Sequence, residues 1–160
     1  KTGKGTKMKN QLPGETYRLF MDKGPICTVD ILFFNKEKTK TLLFRRTNEP
    51  VRGIYFTIGG RLLKNEKLID CAIRHAMKET GIRVKKKSLI FGGVHEDIFK
   101  NSIFAGVSYH AINIFYSYIL EGKEKIRLDD QHNDYQWFSV KDKKIHPFVR
   151  NRLAGLLGKL

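Results

Sequence analysis

Residues 60–82, GRLLKNEKLIDCAIRHAMKETGI, are where the hydrophobic period of this chain changes. From Glu66 to Thr80 the apolar residues Ile69, Ala72, Ile73, Ala76 and Met77 recur on one helical face, and Gly81 supplies the stop. Asp70, Arg74 and Lys78 are spaced by four, which predicts a ladder of opposite charges along an exposed stripe. Cys71, His75 and Glu79 share that spacing and occupy the neighbouring stripe. Glu66 and Arg74 lie two turns apart and can pair across the loop–helix junction. Glu79 is then the one carboxylate on that neighbouring stripe. The Gly59-Gly60 pair just upstream allows a tight backbone.

Working outward, the flanks read as strands. Thr28 to Phe34 and Thr41 to Arg45 are rich in β-branched and aromatic residues and are joined by the polar turn NKEKTK, a hairpin. Ile54 to Ile58 is a short strand closed by the glycine pair. Ser88 to Val94 and Tyr109 to Leu120 are further strands, separated by a polar loop around Asn101 to Ser108 that is expected to lie over a site. Tyr135 to Ser139 is the last strand, and Pro147 opens a terminal helix with Phe148, Leu153, Leu156 and Leu157 on its apolar face. Two helices and a majority of strands predict a mixed sheet between helical layers, in one domain.

Composition bounds the function. A chain of 160 residues with 41% hydrophobic residues can bury a core. It has no apolar run of membrane-spanning length, and its charged start, KTGKGTKMKN, lacks a secretory apolar core, so a cytoplasmic protein is expected. Two isolated cysteines suggest neither a disulfide framework nor a thiolate metal site. The net charge of +15 suits phosphorylated small molecules. Without a zinc-finger spacing, a glycine-aromatic RNA motif or a basic dimerising helix, it favours them over nucleic acid, which is not excluded. Residues 1–11 read as a basic N-terminal segment, flexible or partly non-native, ahead of one domain over 12–160.

Gly60, Glu66, Arg74, Glu79, Gly81 and Ile82 match the Nudix pattern G-x5-E-x7-R-E-U-x-E-E-x-G-U, with His75 and Lys78 standing where it carries acids. Downstream, DDQHNDYQW at 129–137 brings a Gln-His pair. Together these features make the chain resemble the GDP-mannose mannosyl hydrolase branch of the Nudix superfamily, in which the helix has also lost acids. Leu12, Glu15, Tyr17, Pro25 and Asp30, and the run LLFRRTNEPVRGIYFTIGGRL, extend the resemblance from about Leu12 to about Trp137. It implies an α+β fold, a Nudix-type α/β/α sandwich with a mixed central sheet.

The resemblance further implies a GDP-sugar hydrolase that breaks the bond between sugar C1 and the diphosphate oxygen. One magnesium ion, with manganese as a substitute, would be held by the Gly59 carbonyl, Glu79 and Gln131. His132 would be the general base, since histidine exchanges a proton near neutral pH. Arg46 and Arg61 would stabilise the departing diphosphate, Asp30 would lie near the sugar, and Leu12 and Tyr17 would bind the nucleoside end, Tyr17 across a homodimer interface. For Gln131 and His132 to reach one site, their segment must be a loop, because adjacent side chains on a strand point oppositely. The chain departs from the branch at Ala111, where a tyrosine is expected, at Ile58, where a proline precedes the glycines, and through the 95–108 loop. A Nudix pyrophosphatase attacking phosphorus, and a non-catalytic nucleotide- or RNA-binding module, are the alternatives.

Overall fold

The computed structural model describes residues 12–159; the expectations for segment 1–11 lie outside them. Three helices flank one seven-stranded mixed sheet, the α+β sandwich expected. Helix α1 spans Gly14–Lys23, β1 Ile26–Phe34, β2 Lys40–Arg46, β3 Tyr55–Phe56, β4 Ile58–Arg61 and α2 Leu68–Thr80. After a short 3-10 turn come β5 Ile90–Phe99, β6 Tyr109–Ile119, β7 His132–Ser139 and α3 Pro147–Leu157.

The sheet runs β3-β2-β1-β6-β5, with β7 on β2 and β4 on β1. Strand β1 is central because both of its faces are apolar: parallel to β6 over nine residue pairs, it carries Ile31 and Phe33 to the α2 side and Leu32 and Phe34 to the α3 side. Beyond the Phe33–Leu42 pairing β2 leaves β1, and β4 takes its place, Gly59 opposite Asp30 and Gly60 opposite Val29. That splay opens a cleft between the ends of β1, β2 and β4.

Four expectations are corrected. The glycine pair does not close a strand; it lies inside β4 and pairs with β1. The charge ladder does not form, because Arg74 turns to Glu66 and Asp70 pairs with Lys86 at 2.9 Å. On α2 the stripe Cys71–His75–Glu79 is buried and Met77 is exposed, so the helix is rotated from its apolar reading. On α3 Leu157 is exposed, while Arg152 is wholly buried. Helix α1 was not expected at all: it has one buried residue, Met21, and leaves Leu19 and Phe20 exposed, so no apolar stripe announces it.

Candidate functional site

The loop–helix junction is fastened first. Both carboxylate oxygens of Glu66 receive the Arg74 guanidinium, at 2.6 and 2.7 Å, and one also accepts the Leu63 N–H at 3.0 Å. Burial pushes this carboxyl up, but these hydrogen bonds outweigh it and hold its pKa down at about 2. The same guanidinium donates to the Arg61 carbonyl at 3.1 Å, fixing β4 against α2.

Behind this clasp the strand and helix touch so closely that no side chain fits. A Cβ on Gly60 would lie 2.7 Å from the His75 ring. Gly59, at φ +148°, has no room for one beside Asp30. Glu79 is buried at the end of this seam. One of its oxygens is held by His75 Nδ1, and the other accepts the Gly59 N–H at 3.3 Å. On the far side stands His132, whose Nε2 lies 4.0 Å from Glu79 Oε2, is buried, and has no hydrogen-bond partner.

His132 is the first residue of β7, paired with Arg46 of β2 beside a bulge at Asn133, and the loop expected at this position is therefore shorter than the sequence reading required. The alternation of side chains applies. Gln131 lines the cleft, whereas His132 is turned into the interior against Phe44, ring centroids 5.9 Å apart. Asp129 ties the two together: its carboxylate receives His132 Nδ1 at 2.9 Å and the Gln131 side-chain N–H at 3.1 Å.

The cleft encloses about 210 Å³. Of the residues expected to form a site, Tyr17, Asp30, Arg46, Gly59, Arg61 and Gln131 line it. Glu79 lies just behind the Gly59 wall, and Leu12 is not among the lining residues. Tyr17 comes from the same chain as the cleft, on α1, with the Arg61 guanidinium 5.3 Å from its ring and Phe104 edge-on at 5.7 Å. Burial raises its phenol above the ordinary value, against the pull of Arg61. The 101–108 segment is a loop as expected, and through Ile103 and Phe104 it reaches the cleft and Tyr17.

Sequence reading missed the floor. Thr28, Asn113, Tyr109 and Asp97 line it from β1, β6 and β5. Arg152 enters from α3 beneath it, donating to Asp97, to Thr57 Oγ1 at 2.9 Å and lying 3.2 Å from Asp30 Oδ2. The polar residues at 28, 30, 97 and 113 stand in apolar strands of the sequence; the helix residue joining them was hidden by its charge, since an arginine on a terminal helix ordinarily faces water.

Were a metal seated here, the expected donors would all be hard oxygen: the Glu79 carboxylate, the Gly59 carbonyl and the Gln131 amide oxygen, the atom left to Gln131 once its N–H is given to Asp129. Such donors fit a magnesium-like ion that retains water and ligand phosphates. Among the described residues no group of three or more His, Cys, Asp or Glu is arranged to hold a metal.

A helix clasped to its leading loop by Glu66 and Arg74, with Glu79 at its end beside a glycine strand, defines a Nudix site. The NUDIX domain model matches residues 25–154, and the chain belongs to that family. It is 28% identical over 151 residues to the low-salt glycan biosynthesis protein Agl8 of Haloferax volcanii, covering 94% of each chain. Among solved structures it superimposes on the MutT protein of Methanosarcina mazei Go1 with a TM-score of 0.68, at 19% identity, covering 86% of this chain and 96% of that one. The NUDIX domain of Shewanella oneidensis NrtR, solved with ADP ribose, gives a TM-score of 0.64 at 18% identity, covering 92% and 99%. These structural likenesses carry the fold alone. No helix among the described residues is long and apolar enough to cross a membrane.

Proposed function

We propose that the protein is a divalent-metal-dependent hydrolase of a GDP-sugar of the GDP-mannose type, releasing GDP and free hexose by water attack at sugar C1. The observation that carries the reading is the distribution of charge in the cleft. Arg46, Arg61 and Lys78 line the cleft together with a buried carboxylate pair, Asp30 and Asp97. A ligand that combines an anionic group with neutral hydroxyls matches that mixture of cations and acceptors. The name of the Haloferax relative, a glycan biosynthesis protein, agrees with a nucleotide-sugar substrate.

Glu79, the Gly59 carbonyl and Gln131 would hold magnesium, or manganese in its place. When bound, such an ion supplies charge neutralisation to a departing diphosphate, a task for which one carboxylate suffices. Arg46 and Arg61 grip the diphosphate oxygens, Asp30 accepts sugar hydroxyls, and Tyr17 with Arg61 offers a stacking platform to the nucleobase. His132 takes the proton. Asp129 accepts from its Nδ1, which leaves the unpartnered Nε2 as the basic nitrogen. In the resting geometry that nitrogen faces Glu79, and the role of base requires the ring to turn toward the cleft when a ligand is bound. Water oxygen bonds to C1 as its proton passes to Nε2, and the C1–O bond breaks with its electron pair leaving on GDP.

Hydrolysis in oxygen-18 water, with products separated and weighed, tests the reading. The label is expected in the hexose, alongside unlabelled GDP. Label on phosphate, with GMP and sugar phosphate as products, would assign attack to phosphorus and discard the carbon mechanism.

A further inference from the structure

Arg152 heads the large, fully buried side chains among the described residues, and nothing in the reaction above uses it. Its one positive charge sits between two carboxylates. Asp97 takes one end of the guanidinium; Asp30 lies 3.2 Å from the other and also accepts from Thr57 Oγ1 at 2.5 Å. The Phe56 ring packs 5.1 Å from the guanidinium carbon and closes the remaining side. At the floor of the cleft two carboxylates thus share one guanidinium, with His95 Nδ1 also on Asp97, so an anion placed beside them meets like charge where little water screens it.

The floor also has hydrogen-bonding capacity left. Asn113 gives its N–H to Thr28 Oγ1 at 2.8 Å, and its carbonyl oxygen is buried without a partner. Asp97 receives His95 Nδ1 at 3.1 Å and Arg152, fewer bonds than two carboxylate oxygens can accept. These are acceptors, suited to hydroxyl donors. Along the path β4–β1–β6–β5, Asp97 is three strands from Arg61, roughly 14 Å. That separates a diphosphate seated on the arginine from whatever reaches the floor.

We propose that Asp97, positioned by Arg152, is a specificity-determining residue that accepts hydroxyls of the substrate's non-nucleotide group and rejects that group when it carries an anion. The inference rests on the nucleotide-sugar reading and adds its selection rule: neutral hexose is accepted, uronate is refused. The rule is independent of which bond breaks.

Calorimetric titration with GDP, GDP-mannose and GDP-mannuronate tests it. The two sugars differ only in a hydroxymethyl against a carboxylate. The wild-type protein is expected to bind GDP-mannose at least about tenfold more tightly than GDP-mannuronate, the like charges on carboxylate and Asp97 opposing the latter. Asp97→Asn should bring the two within about threefold while leaving the affinity for GDP unchanged. Arg152→Lys keeps a cation without the fork that spans both acids. It should narrow the ratio in the same way, with GDP again unaffected. Equal wild-type binding of the two sugars would overturn the inference with no variant needed, as would an unchanged ratio in Asp97→Asn. An unchanged ratio in Arg152→Lys would remove Arg152 from the rule. A GDP-mannose affinity no better than that of GDP would remove the sugar reading itself, and the selection rule with it.

Discussion

The chemistry of a single seam, Gly60 against His75 and Glu79, decides how this helix differs from the usual acidic pattern of its family. The histidine ring occupies the space a strand side chain would need. Gly60→Ala should therefore lower stability by about 1–3 kcal/mol, the ordinary consequence of overpacking, in a urea titration. It should also impair turnover, because the ring it displaces holds Glu79; wild-type stability would show that the seam yields freely. His132 is the second position at which residue-scale geometry makes a demand. If it is the base, His132→Gln loses turnover by about a hundredfold or more with little change in substrate affinity, measured by steady-state kinetics. Activity within a few-fold of wild type would leave the ring as packing on Phe44. Sequence alone located both residues, through spacing and through resemblance. It could not show that Gln131 and His132 face opposite ways, because that depends on where β7 starts, and the start is fixed by the pairing of His132 with Arg46 of β2 beyond the bulge at Asn133.

Among elements, the junction of loop and helix α2 is held by the Glu66–Arg74 clasp, and its strength is pH-dependent with a definite sign. The folded-state pKa of Glu66 lies near 2, below its ordinary value of 4.5. A depressed carboxyl contributes stability that is complete above about 4.5 and is lost as pH falls through 2. Glu66→Gln should be less stable than wild type by about 2–3 kcal/mol at pH 6, and the gap should close as both proteins approach pH 2, followed by thermal melting. A gap independent of pH would mean that shape, not charge, carries the clasp. This pairing was legible in the eight-residue spacing. Helix α1 was not, for lack of a buried stripe. The full length of β7 was also hidden, because Asn133 and Asp134 face water from a strand lying against β2 alone, and polar residues there read as a turn.

Across the whole molecule two features act together, the surface charge and the buried ion network. With a net charge of +15, association of an anionic substrate is steered from a distance. Raising ionic strength from about 0.05 to 0.5 M should therefore lower kcat/KM severalfold with kcat little changed. Salt-independent kinetics would confine the attraction to Arg46 and Arg61. Removing the central cation has a different reach, since it joins α3 to β1, β3 and β5. Arg152→Met should destabilise the protein by about 3–5 kcal/mol in urea, because two acids are then buried without compensation, and adding Asp97→Asn should recover part of the loss. The mixed sheet and its apolar strands followed from strand composition, but the order of the strands did not. The floor of the cleft did not, because its assembly requires residues 28, 30, 57, 97, 113 and 152, which no local pattern connects.

That dependence on residue 152 has a consequence for biosynthesis. Every strand of the sheet has been translated before α3 leaves the ribosome tunnel, so the nascent chain can pair its strands while Asp30 and Asp97 still lack their counter-ion. The half-made protein must keep that end wet or protonated, and the recognition cavity takes its final form only when the last helix docks.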